Sequence, residues 1–474
     1  MKKIRLIILT LSVVLFSCSE DTMQDINKNV NRPTDVAARL IITDVINNTS
    51  FSVTGADLAF YASAYVEYNV GIYNQLYSAE IRTGDPISAT TYNNSWSAIY
   101  SNLLNLKTII TKCSPGGDEE ENTTVLGMAQ VLSAYNLAIL TDLFGDVPWE
   151  EALQPGIVWT PSLDKQQDVY VAINQFLTDG ITNLEEVSSV AEIDSQDPIY
   201  GGEADSWIKF AYGLQARYAM RLSNITSDYA AVITAANNSF AQASDEAKFT
   251  CGTIKNPFYL FFTDRDYFGA SQSLHDKLVV RSDPRDAVFF KPYPGALTIE
   301  FAPNGRPRQA QGEYGISALA VETAPIYLMS YHELEFLKAE AYARSGILPD
   351  AKTHLESAIV ASFEKVGLTA ADAAAYYTST VEPRLTTQAE TVREIMLQKY
   401  FGLFEVEAIE TYNDVRRLRA LGEGGTYQLA NPRNFPLRYT YGAYDVTTNV
   451  NVRDAYGDGS YVYSDNVWWA GGTR

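Results

Sequence analysis

Leu126, Ala129, Ser133, Leu137, Leu140 and Phe144 follow one another three or four positions apart, which places them on one face of a helix. Gly145 stands where such a helix needs a residue free to take a positive φ, and Pro148 forbids its continuation. Trp149 and Leu153 come next, so the chain turns and packs back on the helix it has just left. Asp142 and Asp146 read as residues that cap and stiffen this turn. The same spacing predicts helices over 37–47, 55–68, 96–110, 169–184 and 207–222, the last with Trp207, Phe210, Leu214 and Tyr218 inward. Ser330 with Glu333, and Thr387 with Glu390, are capping-box patterns that open two more. The first ends at Gly346. Its partner starts at Asp350 and turns Ala351, Leu355, Ile359 and Phe363 inward until Gly367. With Ala339, Ala341 and Ala343 at the contact, this pair looks like a tetratricopeptide-type hairpin, although no fixed period of about 34 residues runs along the chain. The second capping box leads into a helical signal over 395–417.

Periodicity fails in three places. Residues 69–94 are rich in Gly, Tyr, Thr and Ser and read as a long loop, and loops of that length tend to carry function or disorder. Residues 224–322 are punctuated by Pro257, Pro284, Pro292, Pro294, Pro303 and Pro307, and read as irregular with short strands at most. The tail over 431–469 is aromatic and Asn-rich. The expected fold is therefore mainly α: tetratricopeptide-like helical hairpins forming a scaffold, with a long irregular loop-rich lobe. Scaffold is expected over 36–223 and 326–422, the lobe over 224–325 and an aromatic tail over 423–474, all within one domain, 36–474.

The chain has 474 residues, 46% of them hydrophobic, enough for a large core. A formal charge of −21 disfavours nucleic acid and anionic membrane surfaces as partners, since both call for basic patches. Tyr outnumbers Phe, 31 to 20, and a ring with a hydroxyl at its edge suits surfaces that grip polar ligands. His275, His332 and His354 are scattered, and no pair of them has metal-ligand spacing on a shared helix face. Cys113 and Cys251 fit either a disulfide or two buried thiols. Lys2, Lys3 and Arg5 precede the apolar run 6–16, the layout of a secretory signal, and that run is too short to span a bilayer. Residues 1–17 read as the signal and 18–35 as a polar tether.

Phe144-Gly145-Asp146-Val147-Pro148, followed by an aromatic residue and Glu-Ala, resembles the helix–turn signature of the SusD/RagB family of outer-membrane nutrient-binding lipoproteins. The segment from Trp207 through Phe210, Leu214 and Arg217 to Arg221 is similar to the family's second signature. Pro436 to Tyr439 and Val467-Trp468-Trp469 resemble its closing segment, so the likeness covers nearly the whole chain. Leu15-Phe16-Ser17-Cys18 resembles a lipoprotein cleavage box, against the reading of an ordinary cleaved signal with an incidental Cys, and Ser19-Glu20-Asp21 resembles the acidic tag that sends such lipoproteins to the outer face of the outer membrane. The resemblance implies lipidation at Cys18 and capture of an oligomeric nutrient, an oligosaccharide or else a peptide. It also implies delivery to a SusC-like TonB-dependent transporter, without catalysis or cofactor.

Read from its residues, the chain has no Gly-rich phosphate loop, HExxH pair, G-x-S-x-G elbow or zinc knuckle. Asp454 to Ser460 lacks the alternating ligands of a calcium loop, so no metal site is expected. Two other classes stay open. One is a secreted helical glycoside hydrolase, since an acidic chain offers many carboxylate pairs; the other is a helical adaptor that binds only protein. A receptor for a hydrated polymer would stack aromatic faces on sugar rings from irregular segments, because helix-face aromatics are spent on the core. That criterion selects Tyr73, Tyr77 and Arg82 in the long loop, Trp159 before Thr160-Pro161, and Arg265, Tyr267 and Phe268 in the lobe. For each of these the competing reading is an aromatic packed on its own lobe.

Overall fold

The computed structural model describes residues 35–83, 87–186, 188 and 193–474. The expected signal, Cys18 and the tether up to residue 34 lie outside the described residues. Helices α1 (Ala38–Asn48), α2 (Asp57–Tyr65), α3 (Asn74–Glu80), α4 (Asn93–Cys113), α5 (Thr123–Phe144), α6 (Gln166–Glu185) and α7 (Ala204–Arg221) build the first part. Then come α8 (Tyr229–Asn237), α9 (Pro257–Arg265), α10 (Gln272–Val280) and α11 (Asp286–Phe289). The scaffold resumes with α12 (Tyr331–Arg344), α13 (Leu348–Lys365), α14 (Ala370–Tyr376), α15 (Gln388–Gly402) and α16 (Ala408–Ala420), and the tail carries α17 (Ala443–Thr448) and α18 (Val450–Tyr456). Three antiparallel two-stranded ladders pair β1 (Asn69–Gly71) with β3 (Phe268–Ala270), β2 (Ala247–Phe249) with β6 (Ile326–Met329), and β4 (Phe290–Lys291) with β5 (Ile316–Ser317).

Every long helix expected from spacing is present, but the signal over 395–417 is two helices, α15 and α16, parted at 403–407, and two further expectations need correction. The stretch 69–94 is not one loop: it contains β1, all of α3 and the start of α4. The stretch 224–322 contains α8 to α11. Three of these are nine residues long and are started by side-chain caps: Asp228 on Ala231, Asn256 on Phe258 and Tyr259, and Ser271 on Leu274. Helices of two turns present too few inward positions for a period to show.

The hairpins pack closely. α5 and α6 run antiparallel: the Gln166 amide at the start of α6 donates to the carbonyl of Thr141 near the end of α5. At the other end of the pair, a Cβ on Gly127 would stand 2.5 Å from Leu184 and 2.8 Å from the Gly180 carbonyl, so glycine permits the approach. α5 has the length and apolarity to cross a membrane, but it is buried on nearly every side within the scaffold.

Where α7, α12, α15 and α16 meet, the interior is ionic. Arg217 binds Glu333 and Glu407, Arg221 binds Asp142 and Glu410, Arg417 binds Glu340 and Asp414, and Lys399 reaches Asp414 at 2.8 Å. All of these groups are buried or nearly so. The glutamate of the Ser330 capping box is part of this layer. Ser330 Oγ accepts from the Glu333 backbone N–H at 3.2 Å, but the Glu333 carboxylate turns to Arg217 rather than back to the cap. Thr387 likewise accepts from Glu390 N–H at 3.2 Å while the Glu390 carboxylate takes threonine hydroxyls, and among the described residues a complete capping box joins Thr369 and Asp372.

The tail closes on the turn after α5. Tyr439 N–H donates to the Leu143 carbonyl at 2.7 Å, Tyr441 Oη–H to that of Asp146 at 2.8 Å, and the Arg438 guanidinium to that of Phe144. Gly145 adopts φ 81° and ψ −130°, a region open to glycine rather than the left-handed helical well, and a Cβ there would lie 2.4 Å from Arg438 Nη2. Asp146 stiffens the turn as expected, accepting from Gln166 N–H at 2.9 Å and Lys165 Nζ at 2.8 Å. Asp142 is no cap. It is buried, accepts from Tyr170 Oη–H and Arg221, and burial raises its carboxyl above the usual range. Cys113 and Cys251 are both free and buried, their thiols pushed up by burial to about 12 and about 11.

Candidate functional site

The β1–β3 ladder fixes the site's geometry. It sets Gly71 opposite Phe268, so the residues that leave the two strands, Tyr73 and Tyr267, emerge side by side. Their ring centroids are 5.7 Å apart at 40°, and Ile72 N–H donates to the Tyr267 carbonyl at 2.8 Å. Tyr267 is nearly covered, while Tyr73 is 37% exposed and stands as the outer ring of the pair. Asn74, held at φ 49°, donates from Nδ2 to Tyr267 Oη at 3.0 Å.

On the other side, Asp266 takes φ 51° and ends α9 in a left-handed residue. Its carboxylate accepts from Gly312 N–H at 2.8 Å, and the Gln311 amide donates to the Arg265 carbonyl at 2.7 Å, so the loop around 311–312 is seated on this turn. Tyr293 completes the rim beside Gly312 and Asp266. Burial raises the Asp266 carboxyl, and burial followed by the Asp266 charge raises the Tyr293 hydroxyl. Arg265 is exposed beside them.

Four of the expected residues therefore gather here: Tyr73, Tyr267, Arg265 and, one turn along α3, the half-buried Tyr77. Three do not. Arg82 turns inward: its guanidinium lies 4.7 Å over the buried ring of Tyr65 and donates to the Ala79 carbonyl at 2.7 Å. Phe268 is fully buried among Phe258, Phe261 and Phe262, because a β3 side chain on the core face has no route to solvent. Trp159 is 79% exposed, but on a separate loop held by the tail, where Asn449 donates to the Pro161 carbonyl at 2.9 Å and Asn451 to that of Thr160 at 3.0 Å. No ring contact joins it to the tyrosine pair among the described residues. Asn74 and Tyr293 were missed. An aromatic between Pro292 and Pro294 was a usable signal for the second; for Asn74 there was none.

The groups on offer are ring faces with their hydroxyls, the Asn74 amide, the Asp266 carboxyl and the Arg265 guanidinium. Among the described residues no group of three or more His, Cys, Asp or Glu is placed to hold a metal ion. Asp458 caps its own turn through Ser460, and Asp454 pairs with Arg453. His332 is buried with Nε2 2.9 Å from the Gly402 carbonyl, and burial lowers its pKa well below the usual value. His275 pairs with Asp286 and His354 with Glu335. The carboxylates of Glu333 and Glu407 share Arg217 deep in the scaffold, where Arg217, Glu405, Glu407 and Glu410 line a small cavity of about 40 Å³.

Paired helices in a continuous scaffold, with a lobe inserted between two sets of hairpins, define a tetratricopeptide-like helical superhelix. The chain belongs to the SusD-like family, whose description, "Starch-binding associating with outer membrane", matches residues 30–441. It is similar to a SusD/RagB family protein of Bacteroides thetaiotaomicron, with 42% identity over 93% of this chain and 100% of that one, and a TM-score of 0.88. The fold is shared with a chitin-binding SusD homolog from Flavobacterium johnsoniae, at 19% identity, 91% and 98% coverage and a TM-score of 0.74. A second SusD-like protein of Bacteroides thetaiotaomicron gives 18% identity, 91% and 98% coverage and the same TM-score. No curated protein sequence matches this chain.

Proposed function

We propose that this protein captures an oligosaccharide at the outer face of the outer membrane and passes it, uncut, to a SusC-like TonB-dependent transporter. The observation that carries this reading is the outward ring of Tyr73 braced on Tyr267, with Tyr77, Arg265 and Tyr293 around it. A braced aromatic loses little freedom on binding, and its face matches the apolar side of a sugar ring. The family description names starch, and one structural relative is described as chitin-binding. Cys18 serves as the lipidated first residue of the mature chain, with more than one acyl chain needed for stable anchoring. Trp159 adds a second contact for a long ligand.

Titration with starch and chitin oligosaccharides tests the reading. Tyr73→Ala, Tyr77→Ala and Trp159→Ala, made singly, should each weaken binding by about 1–3 kcal/mol with little change in thermal stability. Normal binding by all three would place the ligand elsewhere, and release of new reducing ends would favour the hydrolase. Cys18→Ala should leave the membrane fraction; if it stays, the anchor is not this cysteine.

A further inference from the structure

A basic trough crosses the scaffold on the side of α15. One groove, of about 520 Å³, lies between α10, the turn over 383–386 and α15. A second, of about 540 Å³, lies between α15 and the segment 422–426. Arg393 and Thr426 line both, so the two adjoin. In a chain of formal charge −21, the first groove gathers Lys277, Arg281, Arg384 and Arg393.

Two carboxylates, Glu390 and Glu394, share this lining, but both are engaged. Glu394 accepts from Arg281 and from the Gln398 amide at 3.0 Å, and Glu390 accepts from the hydroxyls of Thr386 and Thr387. Of the cations, Lys277 is spent on Ser273 and, at 3.7 Å, on Glu67. Arg281 is held by Glu394, with its Nε buried and unpartnered among the described residues. Arg384 and Arg393 are different. Both are exposed, and among the described residues neither is within ion-pair distance of a carboxylate; Arg384 gives only one N–H, to the Thr380 carbonyl of its own turn. Val280, 81% exposed, and Leu397 add an apolar wall.

We propose that this trough is a second ligand site, which takes the carboxylate groups of an acidic saccharide, with Arg384 and Arg393 as the anchoring cations. A guanidinium presents parallel N–H donors that match a planar carboxylate, and Val280 and Leu397 offer the apolar surface that a sugar face needs. Against a net charge of −21, a lining with two guanidinium groups unpaired among the described residues is a local attraction for such a ligand. The inference rests on the receptor reading only in placing the carboxylate on a saccharide.

The test uses the full mature chain titrated with polygalacturonate and alginate, and with methyl-esterified polygalacturonate, which keeps the backbone and removes the charge. The wild type should bind at least one acidic polymer, more weakly as salt is raised, and the ester at least tenfold less tightly. Arg384→Ala with Arg393→Ala should weaken that binding by about tenfold or more, the loss of a charge-assisted contact, while thermal unfolding stays unchanged. Equal binding of acid and ester, or an unaffected double variant, overturns the acidic-ligand inference and leaves the receptor reading standing. Failure to bind these polymers while starch or chitin oligosaccharides bind does the same. Failure to bind any saccharide overturns both.

Discussion

Glu80 shows how much one side chain can be asked to do. It is fully buried at the end of α3, where its carboxylate accepts from Gly305 N–H at 2.6 Å, from Gly71 N–H at 3.3 Å and from the Asn431 amide at 3.3 Å. It thus joins β1, the lobe and the tail at one point. Burial is the largest effect on it, and its carboxyl is pushed up to about 7 from 4.5. The folded state therefore binds more protons than the unfolded one between those values, so this group's contribution to stability falls as pH rises from about 4.5 to 7 and is constant above. Glu80→Gln, which stays neutral, should flatten the stability–pH curve across that window by about 1–3 kcal/mol, read from denaturant midpoints. An unchanged curve would show that Glu80 does not titrate there. Nothing in the sequence marked Glu80, because a glutamate beside an exposed-looking loop reads as a solvated charge. Arg82 and Phe268 misled for a related reason: lying outside a regular helix does not mean facing water.

At the scale of elements, the long helices were legible and the short ones were not. α4, α5, α6 and α7 carry apolar faces of three turns or more, and their spacing reports them directly. α12 was visible through its cap and small residues, whereas α15 and α16 give one signal over 395–417 that a turn at 403–407 divides; the buried faces of α12 and α16 hold His332, Glu333, Glu340, Asp414, Arg416 and Arg417. A hydrophobic pattern cannot announce an ionic interior, since those residues are indistinguishable by type from surface charges. The tyrosine pair of the site was legible residue by residue, but its pairing depends on the β1–β3 register, formed by segments almost 200 positions apart, as the Asn74–Tyr267 bond shows. Trp207 tests the continuity of the scaffold. It is fully buried on α7, with its indole N–H donating to Asp197 at 2.8 Å. Trp207→Ala should cost about 3–5 kcal/mol in equilibrium unfolding and leave ligand preference alone, and a variant as stable as the wild type would make α7 peripheral.

Across the whole molecule, the tail is what completes the interior. Tyr439 stacks on Tyr92 at 4.0 Å and touches Tyr65, Phe144 and Tyr412, and Tyr441 meets Trp96. The Tyr439 hydroxyl also donates to the Leu58 carbonyl at 2.9 Å, a bond across 381 positions. That closure has a temporal meaning. The signature turn at Gly145 has partners 294 residues downstream, so its contacts with the tail close a long loop. Such long-range pairing raises contact order and slows the final step of folding. Closure of the interior thus depends on contacts between the turn after α5 and the tail. A chain stopped at Asn434 should lack cooperative unfolding and bind hydrophobic dye; one that melts like the full chain would show that the tail decorates a fold already finished without it.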